Sequence, residues 1–539
     1  MAWYDEAIFY HIYPLGMTGA PKHNHYGEPE HRLNTLIPFV AKIKELGCNA
    51  LYIGPLFESV GHGYETTDYK KLDTRLGTNE DLTNFVAECH KYGIRVVLDG
   101  VFNHTGRDFF AFEDIRRNRE SSKYKDWYCN VNFYGNNEYN DGFSYDNWGG
   151  YDLLAKLNQH SNEVRDYIAD VIRFWVKEFD IDGIRLDAAD VLDFNYMQML
   201  RRVANEVKAG FWLMGEVIHG DYIRWVNGDT LHAVTNYHLH KALYSGHNDH
   251  NYFEIAHTVK RLYEMGGNTP DGLKLYNFVD NHDVERIYTK LNKKSHFVPV
   301  HILLYTLPGV PSIYYCSEFG IEGKKEYGSD DSLRPAVSFE DYIKATEDND
   351  FIKLISRLGK IRFETKALSY GSYKELLLTN CQYAFSRDYN GQSVIVTVNN
   401  SDNDFVMNLP VQNKGEYVGG IFGTKVTVKD GCLTVNVKAN SGEIWLPSGQ
   451  AYNQVQPIEI EVDDKVEVVV CEKTKEPVQP TEESVVNHNK SFEEMTVEEL
   501  QNAILEQMRR NGPVTEQMRR DVMENVYHNS LVTWIKSFN

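Results

Sequence analysis

Three carboxylates stand where a chain could bring them to one place. GIRLDAAD at 183–190 carries Asp187 at the end of an apolar run, MGEVIHG carries Glu216 in the same way, and FVDNHD ends on Asp283. Arg185 lies two residues before the first, and His282 directly precedes the third. Cleaving an acetal needs one acid to protonate the departing oxygen and a second carboxylate to attack or stabilise the oxocarbenium-like centre. A third can hold the substrate's hydroxyls. The chemistry that these residue types fit is therefore hydrolysis at an anomeric carbon.

Arg185 and Asp187 share strand parity, so both face the same side, and the cation is expected to lower the Asp187 pKa and keep it an ionised nucleophile. Glu216 lies among apolar residues, where burial would raise its pKa as a general acid requires. Taken singly, each acid also fits a structural ion pair. Their recurrence after three apolar runs favours a shared site.

The elements that would hold them read as alternating strands and helices. Strands are expected at 9–14, 50–56, 95–102, 183–188, 212–217, 232–237, 275–281 and 311–315, separated by amphipathic segments such as TLIPFVAKIKELG and NEVRDYIADVIRFWVKEF. Gly47 and Gly93 follow two of these segments as helix-ending residues. Eight such βα pairs predict a closed (β/α)8 TIM barrel, which gathers strand-end side chains from several directions on one face. About 55 residues rich in Tyr, Trp, Asn and Gly interrupt the rhythm after the third strand, far more than an ordinary loop. Residues 105–160 are read as an inserted subdomain over the strand ends and not a disordered insertion, in which Trp127, Phe133, Tyr145, Trp148 and Tyr151 would be exposed without purpose. The barrel then comprises 1–104 and 161–367. Alternating short strands over 368–450 predict an antiparallel β-sandwich, and 451–490 reads as a hairpin and linker.

Residues 491–539 read as a helical C-terminal tail. Thr496 and Glu499 form a capping box, Val497, Leu500, Ile504 and Met508 fall on one face, and Gly512-Pro513 separates a second helix. Such faces must cover something, either the body of the chain or another copy or partner.

Composition narrows the partner classes. A net charge of −21 argues against nucleic acid and against an anionic membrane surface as main partner. Aromatics make up 13% of the chain, with 35 Tyr, and flat apolar faces with polar rims suit sugar rings as well as packing. Seven scattered cysteines without metal spacing predict reduced thiols and a cytoplasmic setting. The opening residues MAWYDEAIFYHIYP lack the features of a secretory leader. The apolar run 297–315 contains three prolines and a histidine and reads as a buried helix followed by a strand rather than a membrane span.

With these residues in view, the chain resembles the α-amylase superfamily of retaining glycoside hydrolases over about residues 3–450. DGVFNH at 99–104, GIRLDAAD, GEV and FVDNHD resemble its four signatures, in order. The resemblance implies Asp187 as nucleophile, Glu216 as acid/base and Asp283 as stabiliser of the transition state. It likewise assigns His104, Arg185 and His282 to the sugar at the cleavage point, Tyr64 of HGYETTDY to stacking on that ring, and Asp330 with Arg334 to the neighbouring sugar. Asp99 is implied as a structural residue behind the site, and Asn103 is the one calcium ligand the resemblance offers. The chain departs from the pattern after the nucleophile, where Asp190 and Val191 replace the Lys and His that contact the leaving side in many α-amylases. LAKLN at 154–158 resembles the MPKLN of the neopullulanase and cyclomaltodextrinase branch, although the N-terminal β domain usual there is missing from this sequence.

The reading that follows is an α-glucan hydrolase cutting α-1,4 links of maltooligosaccharides or cyclodextrins, with no organic cofactor required and calcium as the one candidate metal. A glucanotransferase or trehalose-forming enzyme would use the same triad. A catalytically silent carbohydrate-binding or partner-bearing relative would keep the fold without it.

Overall fold

The computed structural model describes residues 2–265, 273–326, 329–449, 455–462, 500–501 and 503–504. Contacts divide the chain into units 1–469 and 470–539. In the first, eight parallel strands form one sheet: β1 Phe9–Ile12, β2 Ala50–Ile53, β3 Arg95–Gly100, β4 Gly183–Leu186, β5 Trp212–Gly215, β6 Ala233–Val234, β7 Tyr276–Phe278 and β8 Val310–Tyr314. They lie in the order β6-β5-β4-β3-β2-β1-β8-β7, and a parallel bridge from Thr235 to Tyr276 closes the ring. The expected barrel is present, each strand within a few residues of its expected place. Strands β1 to β5 are almost wholly buried because both faces are covered, which is why they read as apolar runs without alternation.

The main helices packed around the sheet are α1 Ile37–Glu45, α2 Asn79–Lys91, α3 Asn162–Phe179, α4 Phe194–Val207, α5 Tyr237–Asn248, α6 Tyr252–Met265, α7 Phe297–Thr306 and α8 Asp350–Glu364. Their starts are encoded locally. The Thr78 hydroxyl accepts from the Asp81 amide, Ser161 from Val164, Asp193 from Tyr196 and Asn236 from Leu239. On α3, Val164, Ile168, Val171, Ile172, Trp175 and Phe179 line the buried stripe. All ten residues of α7 are buried, so the long apolar run is an interior helix followed by β8. No helix among the described residues is long and apolar enough to cross a membrane. One expectation fails: β5 and β6 are joined by a single 3-10 turn, Tyr222–Arg224, and not by an α-helix. Gly220, with φ 109°, and Gly228 break this segment, so the apolar spacing of Ile218, Tyr222 and Trp225 gives only a short turn and no helix follows the fifth strand directly.

Strands His104–Thr105, Asn147–Trp148 and Tyr151–Lys156 form a small antiparallel sheet in the long interval after β3. Trp127 and Tyr145 are buried there with Phe112 and Phe143. Phe133 and Trp148 are half-buried, and Tyr151 is 64% exposed. Tyr151 follows two positive-φ glycines at the turn of that hairpin, which carries its ring outward.

Strands β9 Ser372–Leu378, β10 Gln382–Tyr389, β11 Gln392–Asn399, β12 Phe405–Pro410, β13 Glu416–Gly419, β14 Lys425–Thr427, β15 Cys432–Val437 and β16 Ser441–Pro447 form a six-stranded sheet, β9-β10-β11-β16-β13-β14, facing the pair β12-β15. Ala384, Ile395, Met407, Leu409, Leu433, Val435 and Trp445 fill the space between. One arginine of the sandwich reaches the barrel, beside a second that belongs to the barrel itself. Arg387 of β10 donates to the Thr306 carbonyl at 2.8 Å, and Arg362 of α8 donates to the Tyr305 carbonyl at 2.6 Å, both at the carboxyl end of α7. Residues 455–462 carry no regular structure. The rest of the expected hairpin, the linker at 472–490 and the helical tail lie outside the described residues. The exceptions are Leu500, Gln501, Ala503 and Ile504, which are helical with Leu500 and Ile504 buried. The six cysteines among the described residues are free thiols.

The closest approach of barrel helices is at Gly359 of α8, where an added Cβ would sit 2.2 Å from the Leu46 carbonyl oxygen beside α1. Gly to Ala inside a helix ordinarily gains about 1 kcal/mol of propensity. Here overpacking at about 1–3 kcal/mol is expected to win, so Gly359→Ala should lower the calorimetric unfolding temperature. A raised one would contradict this packing.

Candidate active site

Strand register brings the chemistry together. Asp99 of β3 lies opposite Arg185 of β4, and Leu186 lies opposite Gly215 of β5. Asp187 and Glu216 therefore leave neighbouring strands at one level. The Asp187 amide donates to the Gly100 carbonyl at 3.1 Å and the Glu216 amide to the Leu186 carbonyl at 2.9 Å, which fixes both backbones as the strands end.

One guanidinium sits beneath them. Arg185 donates through Nη1 to Asp99 Oδ1 and Asp187 Oδ1, each at 2.9 Å, and its Nη2 lies 2.8 Å from Glu216 Oε2. The same Glu216 oxygen accepts from the Ala188 amide at 3.1 Å. Ala188 reaches it with a left-handed backbone, φ 48°, unusual for a residue with a side chain and located where function can hold such strain. Gly215 permits this approach, since a Cβ there would lie 2.7 Å from Ala189 Cβ.

Burial raises the pKa of Asp187 well above the usual carboxylate range, against the lowering by Arg185, with Glu216, Asp99 and Asp283 adding to the rise. This reverses the expected direction for Asp187. The reason is first the burial itself, which the guanidinium, shared with Asp99 and Glu216, does not offset. Glu216 is raised as expected, first by burial, with Arg185 opposing. Asp99 is raised by burial too, and accepts from Tyr52 at 2.8 Å and Tyr64 at 3.1 Å.

Asp283 follows β7 at the mouth of the barrel. Its Oδ1 accepts from Arg334 Nη2 at 3.0 Å, and its Oδ2 lies 3.0 Å from His282 Nε2. Arg334 also donates to Asp330 Oδ2 and to the His282 carbonyl, both at 3.0 Å. Tyr64 stacks on the His282 ring at 5.8 Å, and its hydroxyl lies 2.5 Å from His282 Nε2. Because that hydroxyl donates to Asp99, the imidazole Nε2–H must donate to it. Burial, then Arg334 and Arg185, lowers the His282 pKa well below 6.5 and keeps the ring neutral. His104 is buried, its Nδ1 lies 3.2 Å from Asn103 Nδ2, and its Nε2 has no hydrogen-bond partner among the described residues.

Asp99, Arg185, Asp187, Glu216, Tyr64, His282, Asp283, Asp330 and Arg334 thus form one connected set. Sequence reading missed several members. Tyr52, on inward strand parity in β2, was legible only as part of an apolar run. Tyr13 stacks on His282 at 5.7 Å and lies under the Arg334 guanidinium at 4.6 Å. His11 meets His282 edge-on at 5.3 Å, and Lys325 donates to the Asp283 carbonyl at 3.0 Å.

Asn103, the residue implied as a calcium ligand, is engaged by protein donors in this structure. Its side-chain oxygen accepts from Gln159 Nε2 at 3.1 Å, and its carbonyl accepts from the Leu157 amide at 3.0 Å. No cluster of three or more His, Cys, Asp or Glu suited to a metal occurs among the described residues. Gln159 also accepts from the Asp193 amide at 2.6 Å through Oε1 and from Arg165 Nε at 2.7 Å through its carbonyl. A side-chain amide thereby joins the end of β3, the insert and the start of α4.

The family profile for the α-amylase catalytic domain matches residues 33–355. A cyclomaltodextrinase of Thermoanaerobacter pseudethanolicus is 32% identical over 479 residues, 84% of this chain and 77% of that protein. Neopullulanase 2 of Thermoactinomyces vulgaris is 28% identical, over 82% of this chain and 78% of its own. Among solved structures, a cyclomaltodextrinase superposes with a TM-score of 0.72 at 26% identity, covering 82% of this chain and 78% of that one.

Gln159→Ala leaves the Asn103 oxygen and the Asp193 amide without their partner, at an expected cost of about 1–3 kcal/mol in denaturant unfolding. Adding EDTA or calcium is expected to leave the unfolding midpoint of the native chain where it was. A chelator-dependent midpoint would show that the amide does not do this work alone.

Proposed function

The chain belongs to the α-amylase catalytic-domain family, and on that footing we propose that it hydrolyses α-1,4-glucosidic bonds of maltooligosaccharides and cyclodextrins with retention of anomeric configuration. It is a glycoside hydrolase acting on α-glucans, as its cyclomaltodextrinase, neopullulanase and maltogenic amylase relatives are named. The observation that carries the mechanism is the single guanidinium that holds Asp187 and Glu216 side by side at adjacent strand ends. So close a pair suits direct attack by a carboxylate better than an interposed water.

In this reading the Asp187 carboxylate bonds the anomeric carbon while the glycosidic C–O bond breaks, and Glu216 gives its proton to the departing oxygen. Water then attacks the glucosyl ester, Glu216 takes the water's proton, and Asp187 leaves as carboxylate. Asp283, held between Arg334 and His282, is placed to accept hydrogen bonds from ring hydroxyls that strengthen as charge develops. His104 and the Asp330–Arg334 pair are assigned to the bound sugars, and Tyr64 to stacking. The scattered free thiols and the intracellular maltogenic amylase of Bacillus subtilis among the relatives support a cytoplasmic setting.

Time-resolved products from maltoheptaose, β-cyclodextrin and pullulan, beside a Glu216→Gln control, test this reading. Cleavage in the native protein is expected, with turnover falling about 10²–10⁴-fold in the control. Disaccharide isomers or lengthened chains as the main products would instead indicate transfer. Activity needs one proton on the Asp187–Glu216 pair, so it falls as the pair gains a second proton in acid and as it loses the last one at higher pH. Burial raises both groups, so both limbs of kcat/KM should lie above the ordinary carboxyl values of 3.8 and 4.5. An alkaline limb below 4.5 would contradict the assignment.

A further inference from the structure

At the amino ends of the strands, on the face away from Glu216 and Asp283, lies a cavity of about 260 Å³. In this fold that face ordinarily carries stability and not chemistry. The walls include Tyr4 before β1, Arg201 of α4, Trp212 at the start of β5, Val226 and His232 between β5 and β6, and Val310 at the start of β8. Arg201 enters without a matching acid. Its Nη1 donates to the Thr230 carbonyl at 2.8 Å, its Nε is buried with no hydrogen-bond partner, and no carboxylate is ion-paired with it among the described residues. Burial lowers its pKa, with Tyr4 and Asp229 opposing the fall. The other charges in the wall answer one another: Asp5 Oδ1 lies 3.3 Å from Lys274 Nζ, and Asp5 Oδ2 accepts from the Ala2 amide at 3.0 Å.

His232 supplies a second donor. Its Nδ1 accepts from the Leu213 amide at 2.9 Å, and burial, then Arg201, lowers its pKa to about 4, so the ring is neutral with its proton on Nε2. That N–H has no partner among the described residues. The walls are braced in advance. Asn227 Oδ1 accepts from the amides of Asp229 and Thr230 at 3.0 and 3.1 Å, and the Tyr4 ring stacks on Trp212 at 6.2 Å and meets the His232 ring at 5.0 Å. A guanidinium and a neutral N–H without acceptors suit one carboxylate, whose two oxygens can take both donors. A dianion would exceed the single positive charge, with Asp5 and Asp229 close by. Trp212, Val226, Leu231 and Val310 make the remaining wall apolar. The volume lies below the range of about 300–1,000 Å³ usual for ligand pockets, so the occupant is small. We propose that this cavity binds a small organic monocarboxylate, with its charged end held by Arg201 and His232 and an apolar ring or chain lying against Tyr4, Trp212 and Val226.

The probe is benzoate, titrated at fixed ionic strength against the full-length protein and followed by the NMR signals of its ring protons. Benzyl alcohol, the same ring without the charge, is titrated beside it. Benzoate should saturate with a Kd of about 1 mM, the scale for so small a ligand. It should bind roughly 10-fold or more tightly than the alcohol, because its hydrogen bonds are charge-assisted on both sides of the Arg201 contact. Arg201→Gln should weaken benzoate by about 10-fold or more and bring it level with the alcohol. If that variant does not fold, Val226→Phe, which narrows the cavity and removes no hydrogen-bonding side chain, should weaken both probes. Equal binding of acid and alcohol by the native protein overturns the site. So does benzoate binding that survives either substitution unchanged, since it then takes place elsewhere. A native protein that shows no saturation by roughly 10 mM benzoate overturns it as well.

Discussion

The Arg185 guanidinium donates to Asp99 and Asp187 and lies within bonding distance of Glu216, and the mouth of the barrel is arranged around that shortage of positive charge. Three buried carboxylates and one cation cannot all be ionised without a large desolvation cost. Hydroxyl donors from Tyr52 and Tyr64 stabilise charge on Asp99, which lies deepest. What is left uncompensated falls on Asp187 and Glu216, the two groups nearest solvent. The direction of both shifts favours a proton retained on that pair.

A lattice of rings holds the other side of the site. Tyr64 and Tyr13 stack on His282, His11 meets it edge-on, and His11 itself stacks on Tyr52 at 4.2 Å. The neutral imidazole donates to the Tyr64 oxygen and presents the same nitrogen toward Asp283. Such packing removes rotamer freedom before substrate arrives, so the geometry that must stabilise charge does not have to be assembled at the moment of reaction.

The barrel was legible because strands covered on both faces must be apolar, and the candidate acids because they interrupt those runs at their ends. The common parity of Arg185 and Asp187 was enough to bring them together. It could not reveal that Arg185 has two more clients, since Asp99 and Glu216 become its neighbours only through sheet register. The sign of the Asp187 shift was misread for that reason. The helix expected between β5 and β6 was inferred from the barrel's rhythm, while Gly220 and Gly228 break the segment that would have formed it. Gln159 and Asn103 stand 56 positions apart, and no local pattern announces their bond.

The sandwich reaches the barrel through charge rather than grease alone. Arg387 of β10 and Arg362 of α8 both address the carboxyl end of α7, and Arg362 also donates to the Gly309 carbonyl directly before β8. The strand that leads to Asp330 and Arg334 thus starts from a turn whose Gly309 carbonyl is met by a barrel helix, while the helix end before it is met from the sandwich. For the history of such a chain this matters more than the seam's position in sequence. A recombination event near residue 370 that imported a sandwich without a guanidinium at the place of Arg387 would leave the Thr306 carbonyl without this donor, so the two parts are matched at the seam however separable their topologies look.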